Sequence, residues 1–389
     1  MQFSTIPGYA KQKLNLTQLV QEERLPHALL LAGPEGSGKL ALALALAQYV
    51  LCRNRTADDS CGTCPSCSKA TRFIHPDIHF SFPVIGSNVV SDMHLAEWRR
   101  ALSYSVWMDK HYWAMALVGE KDSGNKQLNI NKDECHKIIQ KLSLKSFESG
   151  YKVLIQWLPE HLGNEANRLL KIIEEPPAKT LVIFVAEQTE QILPTLLSRC
   201  QLVKVPAFGH KEIGQYLSDK HGVPESEAET LAFMSEGNLF EAIQMAESRT
   251  TNEAGIFLEW LRTCYKGLVG NMLEQVDLLC ESSKEAQKQF LFYGIHFFGE
   301  VLKQKYVKTL HLQLQVDAAK TAENLSGILD VDQIDRMLQL LNDRFFYIER
   351  NANEKLLFLD LSIKMKKIFR REDFVDIFES PLPGVLNIK

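Results

Sequence analysis

Eight residues constrain this chain more than any others. Gly33-Pro34-Glu35-Gly36-Ser37-Gly38-Lys39-Leu40 form a glycine-rich turn between the apolar run His27 to Ala32 and a second apolar run, Leu40 to Leu51. The first run reads as a buried parallel strand and the second as the helix that follows it. In that setting Gly33, Gly36 and Gly38 let backbone N–H groups curl around an anion. The helix N-terminus adds partial positive charge, and Lys39 reaches the outer phosphates. The G-x-x-x-x-G-K spacing is complete, but Leu40 stands where a Ser or Thr hydroxyl should hold magnesium. The expectation is a degenerate phosphate loop that can bind ATP or ADP and cannot use it.

A second motif follows at once. Cys52, Cys61, Cys64 and Cys67 are spaced C-x8-C-x2-C-x2-C, with Gly62 and Pro65 inside the knuckles. Four thiolates so close in sequence predict a closed tetrahedral zinc site, which is structural because no coordination position is left open. Cys135, Cys200, Cys264 and Cys280 are scattered singly and read as plain buried residues. Net charge bears on partners: −4 with a pI near 6.3 excludes a chain that coats nucleic acid by bulk charge. The first residues lack a basic stretch followed by an apolar one, so they do not read as a secretory signal, and no apolar run is long enough to span a bilayer. A cytoplasmic protein without membrane contact is expected.

Along the chain, Leu14, Leu16, Leu19 and Val20 suggest a lead-in helix ending near Pro26. From His75-Pro76-Asp77 to Leu128 the pattern blurs, and this aromatic stretch resists assignment. Trp98 beside Arg99 and Arg100 offers a nucleic-acid stacking contact, but a helix packing its aromatic side inward is the simpler reading. Ile130 to Leu142 is helical in rhythm, and Lys152 to Gln156 reads as a second buried strand. A phosphate-loop ATPase carries acidic residues at the end of such a strand. Here the chain reads Trp157-Leu158-Pro159-Glu160, with Glu160 taken as a solvated loop residue. Ala166, Leu169, Leu170 and Ile173 predict a helix stopped by Pro176-Pro177. A strand at Leu181 to Ala186, a short helix at Ile192 to Leu197 and an apolar stretch at Leu202 to Val205 complete an α/β pattern, which predicts a parallel sheet covered on both faces. Beyond Phe208 strands stop. Short helices fill 210–250 with a turn at Gly237-Asn238, and 254–370 is helical, with Phe290, Tyr293, Phe297 and Val301 on one face and Leu357, Leu361, Met365 and Ile368 on another. Lys366, Lys367, Arg370 and Arg371 suit the C-terminal end of the last helix, and the Pro381-Leu382-Pro383-Gly384 tail reads as loose.

Taken together, these residues resemble the delta-prime branch of the bacterial DNA polymerase III clamp-loader family of AAA+ proteins. The likeness rests on Leu25-Pro26-His27-Ala28, the phosphate loop, the four-cysteine insertion, His75-Pro76-Asp77, the Asn167 to Pro177 stretch with its Glu174-Glu175-Pro176-Pro177, and Ser198-Arg199-Cys200. It implies an AAA+ nucleotide-binding-type domain over 1–207 with a zinc module at 52–67, a helical lid over 208–252 and a helical collar over 253–389. It also implies a five-membered ring with motor subunits and a delta-like subunit, acting on a sliding clamp and primer–template DNA. Arg199 matches the arginine that acts in trans as a finger. Leu40, Trp157-Leu158 and Glu241 stand where active relatives carry a magnesium-holding hydroxyl, an acidic pair and a lid arginine. The resemblance therefore implies no intrinsic ATPase activity; the other reading is an active motor subunit of the gamma/tau type, using Lys39 and Glu160.

Overall fold

The computed structural model describes residues 1–119, 127–148, 150–247, 253–282, 284–307, 312, 314, 316–349 and 352–372; the tail at Pro381 to Gly384 lies outside the described residues. Runs of Leu, Val and Ile without polar alternation need cover on both faces, and they form the centre of a five-stranded sheet. In chain order come α1 (Ala10–Gln21), β1 (Ala28–Ala32), α2 (Lys39–Leu51), α3 (Pro65–Thr71), β2 (Ile78–Ser81), β3 (Val84–Ile85), α4 (Leu95–Tyr104) and α5 (Lys110–Val118). They are followed by β4 (Leu128–Asn129), α6 (Lys132–Ser143), β5 (Lys152–Trp157), α7 (Leu170–Glu174), β6 (Thr180–Ala186), α8 (Pro194–Leu197) and β7 (Gln201–Lys204). The sheet order is β2-β5-β6-β1-β7, and every pairing in it is parallel. A parallel sheet of the phosphate-loop type is what the resemblance implied.

Every residue of β1, β5 and β6 is buried. The same holds along all of α2, an Ala/Leu helix apolar all round, which is the pattern of a helix enclosed by neighbours. On one face of the sheet Leu30, Val182 and Phe184 pack with Ile138, Leu142, Leu162 and Leu169. The edge strand β2 was not legible, since four residues that include His79 and Ser81 carry too little periodic signal.

The aromatic stretch proves to be core. Phe82 stacks on Trp98 at 4.2 Å, and Trp113 and Trp157 each lie 5.1 Å from Trp98. Trp98 is fully buried and Arg99 Nε donates to the Phe73 carbonyl, so Trp98 offers no stacking face to bases. The helix expected from Ala166 to Ile173 is a 3₁₀ segment, Pro159–Leu169, broken at Gly163 and continued by the single α-turn of α7. Its apolar face is nonetheless the one expected, with Ala166, Leu169 and Ile173 buried.

After β7 come α9 (His210–His221), α10 (Glu225–Met234) and α11 (Leu239–Glu247), then α12 (Glu253–Lys266), α13 (Val269–Glu281), α14 (Lys284–Tyr306), α15 (Val316–Ile328), α16 (Val331–Glu349) and α17 (Glu354–Phe369). The chain divides into two compact units: Met1–Val223 with Leu231–Ala246, and Pro224–Thr230 with Glu247–Lys389. In the second unit the expected faces are inside: Phe290, Tyr293, Phe297 and Val301 on α14, and Leu357, Leu361, Met365 and Ile368 on α17, are all buried. Trp260 Nε1 donates to Ser362 Oγ at 2.8 Å, tying α12 to α17. Lys366 at the end of α17 donates to the Gly267 carbonyl. Of the single cysteines, Cys135 and Cys264 are buried, whereas Cys200 and Cys280 are only half-buried. No helix among the described residues is long and apolar enough to cross a membrane.

Candidate functional site

The phosphate loop is built as the sequence demands and is then filled by the chain itself. Gly36 and Gly38 adopt positive φ of 66° and 71°, where a side chain is strained. Gly33 N donates to Ala186 O of β6, and Val205 N donates to Ala32 O, so the loop hangs from two neighbouring strands. The Tyr9 hydroxyl lies 2.7 Å from the carbonyl oxygens of both Ser37 and Pro206. Against this loop sit three groups from later in the chain. The Trp107 and Phe208 rings flank Gly38, crossing each other edge-to-face at 5.9 Å. Trp107 Nε1 donates to Tyr216 Oη at 3.2 Å. The Gly237-Asn238 turn caps the loop, with Leu239 N donating to the Gly36 carbonyl at 3.2 Å.

Lys39 is buried, and its ammonium turns back to the Pro34 carbonyl at 2.5 Å and Ser37 Oγ at 3.3 Å. Burial pushes its pKa down, opposed by the charges of Glu187, Glu160 and Glu35. Burial likewise pushes Glu187 up to about 7, while Lys39 pulls it back. A cavity of 20 Å³ lies among Gly36, Gly38, Lys39, Trp107, Trp157 and Glu187. Nucleotide pockets run to hundreds of Å³, so the residues present do not fit ATP or ADP in this arrangement.

The magnesium-side groups are absent in substance as well as in sequence. Leu40 is buried within α2, and Trp157, at the end of β5, faces Trp98. Glu160 departs from the solvated-loop reading. It is half-buried, and its Oε1 accepts from Glu187 N at 2.9 Å and Gln188 N at 3.2 Å, fixing the turn after β6. Proximity in space, invisible in sequence, decides that. Glu241 lies in the first turn of α11, whose N-terminus the Asn238 side chain caps by accepting from Glu241 N at 3.2 Å.

Cys52, Cys61, Cys64 and Cys67 converge so that their four sulfur atoms lie within 4.8 Å of one another. Cys52 Sγ is 3.6 Å from Cys61 Sγ, which is 3.9 Å from Cys67 Sγ. A tetrahedral ion with metal–sulfur bonds of about 2.3 Å has sulfur–sulfur edges of about 3.8 Å, so the group fits a metal. Backbone N–H groups of Cys61, Cys64 and Cys67 point at Cys52, Cys61 and Cys64 sulfurs at 3.3, 3.4 and 3.5 Å. Such donors favour thiolate, and those from Cys64 and Thr63 bring Cys61 down to about 6. The cluster stands apart from the phosphate loop, at the far end of α2, which starts at Lys39 and ends beside Cys52.

Arg199 lies at the opposite pole of the sheet. It precedes β7, whereas the phosphate loop follows β1, the parallel neighbour of β7. The length of β7, Gln201–Lys204 at about 3.3 Å per residue, separates it from its own phosphate loop by at least about 13 Å. The guanidinium is held by Glu174, with Nε 2.5 Å from Oε1, and by the Thr195 carbonyl at 2.6 Å from its Nη1. Glu174 closes α7 at the start of the Glu-Glu-Pro-Pro stretch. The two motifs are thus one site in space.

A family model described as DNA polymerase III, delta subunit, matches residues 9–209, more than half of the chain. The chain belongs to that family. DNA polymerase III subunit delta' of Bacillus subtilis is 26% identical over 230 residues, covering 59% of this chain and 56% of the relative. The Haemophilus influenzae subunit of the same name is 24% identical over 338 residues, covering 86% and 88%. The chain thus spans about half the length of the first relative and most of the second. A solved gamma-subunit-related protein from Thermotoga maritima aligns over 91% of this chain and 99% of its own, at 16% identity and a TM-score of 0.38.

In this delta-family chain, sequence reasoning missed the residues that fill the loop. Trp107, Phe208 and Asn238 carry no motif. The one available signal was negative: Leu40 and Trp157 had already released the site from holding magnesium.

Proposed function

We propose that the chain is a non-hydrolysing, delta-prime-type subunit of the DNA polymerase III clamp loader. It completes a neighbouring subunit's ATP site with Arg199 and helps to load a sliding clamp on primed DNA. One observation carries this reading: a permanently charged, planar donor is fixed at the sheet edge, away from its own phosphate loop, while that loop is occupied by side chains of the same chain. An arginine finger works by entering a neighbour's site and stabilising charge on the transferring phosphoryl group. The names of the delta' relatives support the same assignment.

In this reading Gly33, Gly36, Gly38 and Lys39 are retained as a packing element rather than a nucleotide site. Cys52, Cys61, Cys64 and Cys67 hold one structural zinc, the ion best suited to four thiolates. Residues 1–207, 208–252 and 253–389 act as nucleotide-binding-type, lid and collar domains, the last joining motor and delta-like subunits in a ring of five, in the cytoplasm. The gamma/tau-type motor reading is weakened by burial of Leu40 and Trp157 where magnesium chemistry would be needed.

The test is steady-state ATP hydrolysis by the chain alone and by an assembly reconstituted with its organism's motor subunits, clamp and primed DNA. No turnover alone is expected. Arg199→Ala should leave the ring assembled and remove turnover at the one site it serves, fingers contributing roughly 10³-fold where they enter. An unchanged stimulated rate ends the finger role, and magnesium-dependent turnover by the isolated chain restores the motor reading.

A further inference from the structure

Where the N-terminal segment Ser4 to Gly8 runs beside α9, the two enclose an open cavity of 510 Å³, within the range of roughly 300–1,000 Å³ that ligand sites occupy. It shares no lining residue with the phosphate loop. From α9 come two adjoining i, i+4 rows: Lys211, Gln215 and Asp219 in one, Glu212, Tyr216 and Lys220 in the other. The two lysines stand at the ends of this face, about 13 Å apart along the helix axis at 1.5 Å per residue. Ile6 and Pro7 supply the apolar side.

Both sides are fixed in place. Phe3 N and Ser4 N donate to the Asp59 carboxylate at 3.0 and 2.9 Å, which ties the N-terminal segment to the loop between Cys52 and Cys61. Lys13 of α1 donates to the Ile6 carbonyl. On the α9 side, Tyr216 is held through Trp107 Nε1, which donates to its hydroxyl oxygen at 3.2 Å. A cavity with pinned sides needs little ordering when it is filled, and binding loses correspondingly little free energy to lost freedom.

Charge selects the occupant. The two acids of the cavity are already engaged: Glu212 accepts from Gly209 N at 3.0 Å and lies against Gly8, and Asp219 accepts from Gln215 Nε2 at 3.4 and 3.3 Å. Lys211 and Lys220 are exposed, and no carboxylate among the described residues pairs with them. Tyr216, an acceptor toward Trp107, keeps its own proton to donate, and α1 begins two residues past Gly8 without a side-chain cap on its free N–H groups. The unused capacity is therefore in donors and positive charge, set at two ends of a partly apolar trough. A nucleic-acid strand, with a phosphate at every step, would instead meet the Glu212 and Asp219 carboxylates between those ends.

We infer that this cavity binds an extended acidic peptide segment of a partner protein, about four residues long at 3.3 Å each, with an apolar middle on Ile6 and Pro7 and a carboxylate at each end meeting Lys211 and Lys220. The experiment is titration calorimetry on the full chain with an acetylated, amidated tetrapeptide of sequence Glu-Leu-Leu-Glu. Saturable binding is expected, weakened at least tenfold by Lys211→Glu with Lys220→Glu. Both side chains are exposed, so the fold is retained, which circular dichroism checks. The Lys-Leu-Leu-Lys peptide should bind the charge-reversed chain and not the native one, a gain that a damaged fold cannot produce. No binding of the acidic peptide by the native chain overturns the inference, as does an affinity that charge reversal leaves unchanged. Free glutamate or a four-residue thymidine oligonucleotide bound as tightly as the peptide overturns it too, by showing a site for any anion.

Discussion

Gly36 and Asn238 are packed so closely that a Cβ on Gly36 would stand 1.8 Å from Asn238 Oδ1 and 2.8 Å from its Cα. Two stretches two hundred positions apart therefore form one structural element. Gly36→Ala meets both this backbone and an unfavourable φ of 66°. A loss of about 2 kcal/mol or more is expected, read as a lower urea midpoint by tryptophan fluorescence. An unchanged midpoint would show that the Asn238 turn yields freely.

Trp107 is the plug whose removal tests whether the loop is blocked or broken. With the loop filled, the native chain is expected to bind ADP only as far as Trp107 swings aside, hence weakly at most, with no gain from magnesium because Leu40 has no hydroxyl to offer. Trp107→Ala opens space beside Gly38, and titration calorimetry should then find ADP bound at least tenfold more tightly, still without magnesium dependence. Tight, magnesium-dependent binding by the native chain contradicts this account.

One zinc ion per chain is expected by elemental mass spectrometry, retained through brief chelator washing. Cys67→Ser should release it and lower the thermal midpoint, since a structural site contributes folding free energy directly. A chelator-washed native protein without metal overturns the zinc assignment.

His79 sets an acid limit on stability. Burial, aided by the charge of Lys141, lowers its pKa from the ordinary 6.5 to about 4. The folded state thus takes up this proton later than the unfolded chain does, so stability is full above pH 6.5 and falls as pH drops toward 4. His79→Gln should remove part of that slope, about 2 kcal/mol between pH 7 and 4. Parallel urea titrations at those two pH values check it; identical slopes for the two proteins would place the acid sensitivity elsewhere.

The sheet was largely legible because its central strands are unbroken apolar runs whose burial any compact solution must provide. The four cysteines were legible for a related reason, since ligands within sixteen residues need little of the fold to meet. Edge strand β2 was not, because four half-polar residues acquire strand character from pairing with β5 rather than from their own pattern. Glu160 was misjudged on the same ground: its partners, the N–H groups of Glu187 and Gln188, arrive from the end of another strand.

The sequence by itself determined that a phosphate loop lies between β1 and α2, that its magnesium-holding group is missing, and that four thiols follow it. These are local facts, carried by residue type and spacing. Only the tertiary structure decided that Trp107, Phe208 and Asn238 fill the loop, and that Glu174 holds Arg199. Each of these joins segments that are distant in the chain, and such contacts are selected by the packing of the whole unit rather than by any one stretch of it.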